Sequence, residues 1–220
     1  MPSLIGDIIK QEAQSLQLSL SAQEINLFEA YAAELKKWNR KVNLTAITRD
    51  NEIAIKHFLD SLSLVPYIKA GDRLLDIGSG AGLPVIPLKI VRPEITMVSV
   101  DAVAKKIHFQ RHVIRLLNLQ NIEAVHSRIE ELHKSQRDLF TIITSRAFTR
   151  LDRFVSLAAP LLADDGVLIA MKGEQADNEI ADSDDVFYAG GFEVTAIHRY
   201  SLPQNMGERV LTFIKRCKTA

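Results

Sequence analysis

Asp76-Ile77-Gly78-Ser79-Gly80-Ala81-Gly82 carries an acid and three glycines at alternate positions, behind the apolar pair Leu74-Leu75 and ahead of an apolar run with helical spacing. Glycine takes up positive φ and lets a ligand approach the main chain, and the first turn of a following helix offers unpaired N–H groups. A strand, a glycine turn and a helix start compressed in this way bind something small and polar. Asp101 ends the next apolar run, 23 residues beyond Gly78, close to the spacing at which an acid accepts hydrogen bonds from a ribose diol.

The glycine spacing discriminates between nucleotide ligands. A nicotinamide fingerprint, Gly-x-Gly-x-x-Gly, would put its third glycine at position 83, where this chain has Leu83; the third glycine is Gly82. Asp76, two residues before the first glycine, suits a cationic ligand better than a pyrophosphate. S-adenosylmethionine presents an ammonium and a sulfonium where a dinucleotide presents negative charge, so Asp76, Gly78, Gly80 and Asp101 are read as its binding residues. A tight turn of purely structural purpose is the alternative.

These residues need strands to position them. Short apolar runs at Arg73–Ile77, Ile95–Asp101, Ile122–Val125, Phe140–Ser145 and Val167–Lys172 alternate with helical segments at Leu83–Val91, Val103–Leu117 and Leu151–Leu162, with a shorter one near Ile129–Leu132. Alternation of this kind predicts a doubly wound α/β sheet of mostly parallel strands. Phe192–Ser201 and Glu208–Arg216 are joined by too few residues for a parallel crossover and should form an antiparallel last pair. Ligands bind beyond the carboxyl ends of such strands. Those ends are the glycine turn, Asp101, Ser127-Arg128-Ile129-Glu130, Ser145-Arg146-Ala147-Phe148 and Lys172-Gly173.

Residues 1–70 read as an N-terminal helical extension packed on a domain of residues 71–220. Ser21-Ala22-Gln23-Glu24 has the form of a capping box, with Ile25, Phe28, Leu35 and Trp38 at helical spacing behind it to about Asn39. Asn43-Leu44-Thr45-Ala46-Ile47 reads as an ordered connection, because Asn and Thr side chains bond nearby backbone. A second helix follows from about Asn51 to Val65, with His57 and Asp60 on one face. They serve either as a polar lock between extension and domain or in the chemistry itself.

Composition excludes several classes. The chain has 220 residues, 47% of them hydrophobic, and equal counts of 27 for Lys plus Arg and for Asp plus Glu, which fits a soluble globular protein without a strongly basic coat. One cysteine, Cys217, leaves no internal disulfide and no cysteine zinc site, so no metal is expected. No run reaches the length of a membrane span and no signal peptide is visible, so a cytoplasmic protein is expected. Charge is uneven: residues 171–191 hold one lysine and six acids, while Lys36, Lys37, Arg40 and Lys41 cluster, as do Lys105, Lys106, Arg111 and Arg115. Each basic cluster is either a solvated helix face or part of a phosphate-binding surface.

Motifs from about residue 38 to 216 resemble the bacterial 16S ribosomal RNA guanine-N7 methyltransferase family, also called glucose-inhibited division protein B. They are Trp38-Asn39 with Asn43-Leu44-Thr45, His57 to Leu62, Asp76 to Pro84 with Ile86-Pro87-Leu88, Ser127 to Glu131, Ser145 to Phe148, Lys172-Gly173 and Gly207-Glu208-Arg209. The resemblance implies a Rossmann-like class I S-adenosylmethionine-dependent methyltransferase fold. It also implies cofactor binding at Gly78, Leu83, Ile129, Glu130 and Arg146, and as partner 16S rRNA or the small ribosomal subunit, with the protein acting as a monomer and without a membrane. Val85 stands where the family usually has a glycine, which suggests a differently packed helix start or a narrower pocket.

What the chain lacks is consistent with that activity. Methylation at pyrimidine C5 calls for a cysteine nucleophile, and Cys217 sits at the chain end. Exocyclic amine methylation is usually associated with an Asn/Asp-Pro-Pro-aromatic motif after the fourth strand, where this chain has Ser145-Arg146-Ala147-Phe148. Ribose methylation calls for a base aided by acids, and only Lys172 is offered. Guanine N7 has a lone pair and no proton to remove, so no acid or base is expected, and Arg146 is read as positioning both reactants, with a helix-end ion pair as the other reading. Lys172, Arg199 and Arg209 are candidate RNA contacts. Phe148 either stacks on a flipped base or is buried. A cofactor-binding ribosome-assembly factor without activity and a small-molecule methyltransferase remain as alternatives.

Overall fold

The computed structural model describes residues 4–135, 139–173 and 176–217. Seven strands, β1 (Arg73–Ile77), β2 (Thr96–Asp101), β3 (Ile122–His126), β4 (Phe140–Arg146), β5 (Leu162–Lys172), β6 (Phe192–Ser201) and β7 (Glu208–Arg216), form one sheet in the order β3-β2-β1-β4-β5-β7-β6. Pairing is parallel from β3 to β5. β7 then runs antiparallel to β5, and β6 to β7, as the short connection between the last two strands demands. The direction of winding reverses between β1 and β4, which opens a crevice at their carboxyl ends. Ile77 there stands beside Ser145, so the glycine turn and Ser145-Arg146 leave the sheet together.

Alternate residues of each central strand enter different cores. Leu74 packs with Phe28, Tyr31, Phe58, Leu88 and Phe109 on one face, whereas Leu75 and Ile77 pack with Phe140, Phe154, Leu168 and Phe187 on the other. The helices of the first seventy residues therefore share a core with the sheet. Fully burying side chains such as Phe28 or Phe58 contributes about 1.5–3 kcal/mol apiece, which fixes the loops they carry relative to the strand ends.

Helix α1 (Leu4–Glu12) precedes α2 (Ala22–Val42), and α2 starts in the expected capping box. Ser21 Oγ accepts from Glu24 N at 3.2 Å, and Glu24 Oε2 accepts from Ser21 N at 2.7 Å. α2 continues past Asn39 and stops where Asn43 turns left-handed at φ 48°. Asn39 holds the following connection: its Oδ1 accepts from the N–H groups of Leu44 and Thr45 at 2.6 and 2.9 Å, and its Nδ2 donates to Thr45 O at 2.9 Å. Residues 50–62 are helical throughout, and the middle segment Ile53–Leu59, which carries His57, is wound as a wider π-helix, a form frequent at functional sites.

Two elements depart from expectation. The Leu151–Ala158 helix gives way to a 3₁₀ turn at Ala159–Leu161, where Pro160 supplies no N–H, and β5 starts at Leu162, which pairs with Phe140 ahead of a register shift. The acidic tract contains a helix, Ala176–Ala189, that the sequence reading lacked. It buries Ala176, Ser183 and Phe187 at intervals of seven and four residues, a sparse stripe masked by surrounding acids. Glu174 lies outside the described residues, as do the side chains of Asp177, Asp184 and Asp185.

Candidate cofactor and acceptor site

The glycine turn is held by three other elements, one through main chain and two through side chains. The N–H groups of Gly78 and Ser79 donate to Val100 O at 2.9 and 3.2 Å, which ties the turn to the end of β2. Gln110, fully buried on the Ala104–Leu116 helix, donates from Nε2 to Ser79 Oγ and to Gly80 O, both at 2.8 Å, while its Oε1 accepts from Ser99 Oγ at 2.6 Å. Tyr31 OH donates to Ala81 O at 2.6 Å. Gly78 and Gly80 have φ of 70° and 57°, which favour glycine. A Cβ on Gly80 would meet nothing nearer than Gly78 O at 4.0 Å, so main chain faces open space there.

The two acids differ from each other. Asp101 lines the cavity in front of the turn, where its Oδ2 accepts from Gly80 N at 2.9 Å and its Oδ1 from Val103 N at 2.8 Å, with Lys106 Nζ at 3.8 Å. It fastens the turn and still exposes lone pairs to a diol. Asp76, expected to face a cationic ligand, is instead fully buried and lines none of the described cavities. Burial pushes its carboxyl well above the usual carboxylate range; the Val85 N–H and the Arg146 guanidinium offset this only in part, and Asp101 adds to it. Neither carboxylate oxygen has a hydrogen-bond partner at standard geometry among the described residues. Asp76 thus lies in the interior and not on the wall of any described cavity.

Three cavities run side by side along the strand ends. The largest, about 380 Å³, lies between Gly78, Asp101, Ile129, Glu130 and Phe148. Through Gly78, Lys106 and Ala147 it adjoins a smaller one of about 190 Å³ that contacts the whole turn from Gly78 to Ala81, together with Leu83, Thr45, His57 and Arg146. That one in turn shares His57, Arg146 and Ala147 with a third, about 360 Å³, lined by Lys56, Asp60, Met171, Lys172, Gly173 and Arg209. An acid at the ribose position, an apolar side chain beside another acid, an open glycine main chain and a cavity of ligand size fit an adenosine-bearing cofactor in the first two chambers. The third is left for a second reactant.

Arg146 stands where the second and third chambers meet. Its NH1 donates to Lys56 O at 3.0 Å and lies 3.4 Å from Asp60 Oδ2, and its NH2 lies 3.3 Å from His57 Nδ1. Ala147 follows at φ 50°, a left-handed bend that sends Arg146 toward the 50–62 helix and Phe148 back over Gly78. Asp60, 3% exposed, also accepts from Tyr200 OH at 2.8 Å and has Arg209 Nε at 3.5 Å. One carboxylate from the first seventy residues thereby orients groups from β4, β6 and β7. His57 is held neutral: burial first, and Arg146 second, lower its pKa to about 3.

The structure therefore gathers Gly78, Gly80, Leu83, Asp101, Ile129, Glu130 and Arg146 around the first two chambers, and Lys172 and Arg209 around the third. Lys172 also bonds Glu179 Oε2 at 2.7 Å and Thr149 O at 2.6 Å. Arg199 lies elsewhere, in a separate cavity with Tyr67, His198 and Tyr200. In the basic clusters, Lys36 pairs with Asp50, Lys37 with Glu34, and Arg111 donates to Ala124 O; Lys106 alone faces the cofactor chambers. Val85 is fully buried and lines none of the described cavities, so it narrows none of them. Thr45 and Gln110 were not expected at the site, and Lys106 was expected only as part of a basic cluster that could bind phosphate. Gln110 carried one signal, a polar residue near the apolar Ile107, Phe109 and Val113.

The family described as rRNA small subunit methyltransferase G matches residues 24–207. The chain is 46% identical over 210 residues to the ribosomal RNA small subunit methyltransferase G of Geobacter sp. (strain M21), covering 96% of this chain and 97% of that one. It is 39% identical to the protein of that name from Desulfitobacterium hafniense (strain Y51), over 97% of this chain and 88% of the relative. Among solved structures, ribosomal protein L11 methylase from Lactobacillus delbrueckii subsp. bulgaricus superimposes with a TM-score of 0.56 at 15% identity, covering 73% of this chain and 77% of that one. Precorrin-6y C5,15-methyltransferase from Geobacter metallireducens GS-15 gives 0.55 at 14%, over 78% and 90%. At such identities the likeness is one of fold.

Proposed function

The chain belongs to the rRNA small subunit methyltransferase G family, and on that premise we propose that it methylates N7 of a guanine in 16S rRNA, with S-adenosylmethionine as donor. The bound donor supplies an electrophilic methyl group on a sulfonium. The observation that carries the reading is the row of three chambers that all share Ala147, with Arg146 between the second and third, two suited to the donor and one beside them for the acceptor.

What the protein's own residues contribute is placement. Asp101 and Glu130 are the acceptors available to an adenosine, Ile129 offers an apolar face, and the turn from Gly78 to Ala81 offers main chain. Leu83 closes the smaller chamber. Because guanine N7 carries a free lone pair, no side chain has to remove a proton, and no acid or base is assigned. Arg146, fixed by Lys56 O, Asp60 and His57, sets the distance between the chambers, and misplacement by an ångström is worth about a hundredfold in rate. Lys172 and Arg209 supply positive charge at the acceptor side for phosphate. The reading includes a monomer acting in the cytoplasm on 16S rRNA or on the small ribosomal subunit.

The experiment is to incubate the protein with labelled S-adenosylmethionine and undermethylated small-subunit rRNA, both free and as particles, and to map the label. A single guanine N7 is the expected product. Tight cofactor binding without transfer would replace the reading by a binding factor in ribosome assembly, and label on small metabolites alone would replace it by another enzyme.

A further inference from the structure

We propose that the Thr45 hydroxyl, from the loop between α2 and the 50–62 helix, binds the carboxylate at the amino-acid end of the cofactor. The proposal rests on the cofactor reading above and not on the identity of the methyl acceptor.

The tautomer of His57 that its neighbours favour sets where the Thr45 proton points. A guanidinium can only donate, so Arg146 NH2 at 3.3 Å requires Nδ1 of His57 to carry a lone pair. Nδ1 also lies 3.3 Å from Lys56 O, which has a second lone pair beside the one that accepts from Arg146 NH1 at 3.0 Å, but a proton on Nδ1 would face the hydrogens of the Arg146 cation, so the tautomer with a bare Nδ1 is favoured. The neutral ring therefore carries its proton on Nε2, which donates to Thr45 Oγ1 at 2.9 Å. Thr45 Oγ1 accepts a second bond from Ile47 N at 3.0 Å. Both lone pairs of the hydroxyl are occupied, and its one proton has no acceptor among the described residues.

That proton belongs to a side chain lining the smaller chamber, beside the glycine turn. The walls of this chamber carry the ammonium of Lys106 and the guanidinium of Arg146 and no carboxylate. The larger chamber mixes the acids Asp101 and Glu130 with Lys106, Arg128 and Arg153. Side-chain carboxylates for the sugar and base are thus confined to the larger chamber, whereas the smaller one, whose charged side chains are all cationic, suits an anion. In S-adenosylmethionine that anion is the carboxylate. The loop is stiff enough to aim one hydroxyl, since Asn39 holds Thr45 at both N–H and C=O. His57 is then a positioning residue that acts through Thr45.

The test uses the full-length protein without RNA and two ligands, S-adenosylhomocysteine and 5′-methylthioadenosine, which lacks the amino-acid end. Wild type should bind the first more tightly. Thr45→Val, nearly equal in shape, should weaken S-adenosylhomocysteine about tenfold, the order expected for a hydrogen bond to a charged group, and leave 5′-methylthioadenosine unchanged. Thr45→Ser should retain the discrimination, and His57→Phe should reduce it with less effect than Thr45→Val. Equal weakening of both ligands would assign Thr45 to loop structure and overturn the proposal, as would unchanged binding of both. Unchanged discrimination, with weaker binding of the Thr45→Val protein to small subunits in a separate binding assay, would assign the hydroxyl to an RNA phosphate and overturn it too. Methyl transfer is not among the readouts, so loss of the guanine-N7 reading would leave this result standing.

Discussion

Gly78 and Phe148 lie so close that a Cβ on Gly78 would stand 2.3 Å from Cδ2 and 2.9 Å from Cγ of the ring. The turn after β1 and the bend after β4 are thus fitted to each other, and Phe148, 37% exposed, covers the glycine from the cavity side. Gly78→Ala should lower thermal stability, since left-handed backbone and a displaced ring together cost on the order of 1–3 kcal/mol. It should also weaken S-adenosylhomocysteine binding. Adding Phe148→Ala should remove the clash and leave the backbone cost, so calorimetric melting of the double variant should fall between wild type and Gly78→Ala.

Arg146 makes a forked set of contacts that a lysine cannot reproduce, because an ammonium is a point charge without a planar fork. Single-turnover transfer should fall about a hundredfold in Arg146→Ala, the order attached to ångström-scale misplacement, and Arg146→Lys should recover only a small part. If Arg146→Ala kept both cofactor affinity and transfer rate, the positioning role would be gone and an ion pair with Asp60 would be its whole purpose.

Tyr200 joins β6 to the 50–62 helix through its bond to Asp60. Burial, and then the neighbouring Asp60 charge, hold its phenol well above the usual range, so it remains a donor at every ordinary pH. Tyr200→Phe removes that donor from a buried carboxylate, and urea denaturation should report a loss of about 1–3 kcal/mol. A loss near zero would mean that the two arginines satisfy Asp60 without it.

Neutral His57 makes stability depend on pH in one direction. With the folded value lowered from 6.5 to about 3, the unfolded chain binds a proton that the native chain refuses between these limits. Stability from this group is complete above 6.5 and declines as pH falls toward 3. The stability difference between wild type and His57→Asn should shrink over that interval and stay constant above pH 7. A difference that did not change with pH would contradict a neutral, buried ring.

Several features were legible in the sequence because they depend on neighbours in the chain. The capping box of Ser21 and Glu24, the strand alternation, the three glycines and the antiparallel closing pair all follow from local hydrogen bonding, side-chain period or connection length. The helix at Ala176–Ala189 was not legible, since the buried positions among its described residues are only Ala176, Ser183 and Phe187, one of them polar, and acids dominate between them. Asp76 showed its type but not its environment: period two along β1 says that it faces one side of the sheet, and only packing by Val85 and the first seventy residues decides that this side is sealed.

By itself the sequence determined a doubly wound sheet, the place of the cofactor turn and the resemblance that names the donor. The tertiary structure decided which groups converge there. His57 and Asp60 reach Arg146 from nearly ninety residues away in the chain, Thr45 lines the same chamber, Gln110 supports the turn from another helix, and Arg199 falls outside the site. Such meetings have no local signature, because they follow from the angle at which buried side chains such as Phe28, Tyr31 and Phe58 seat one element on another.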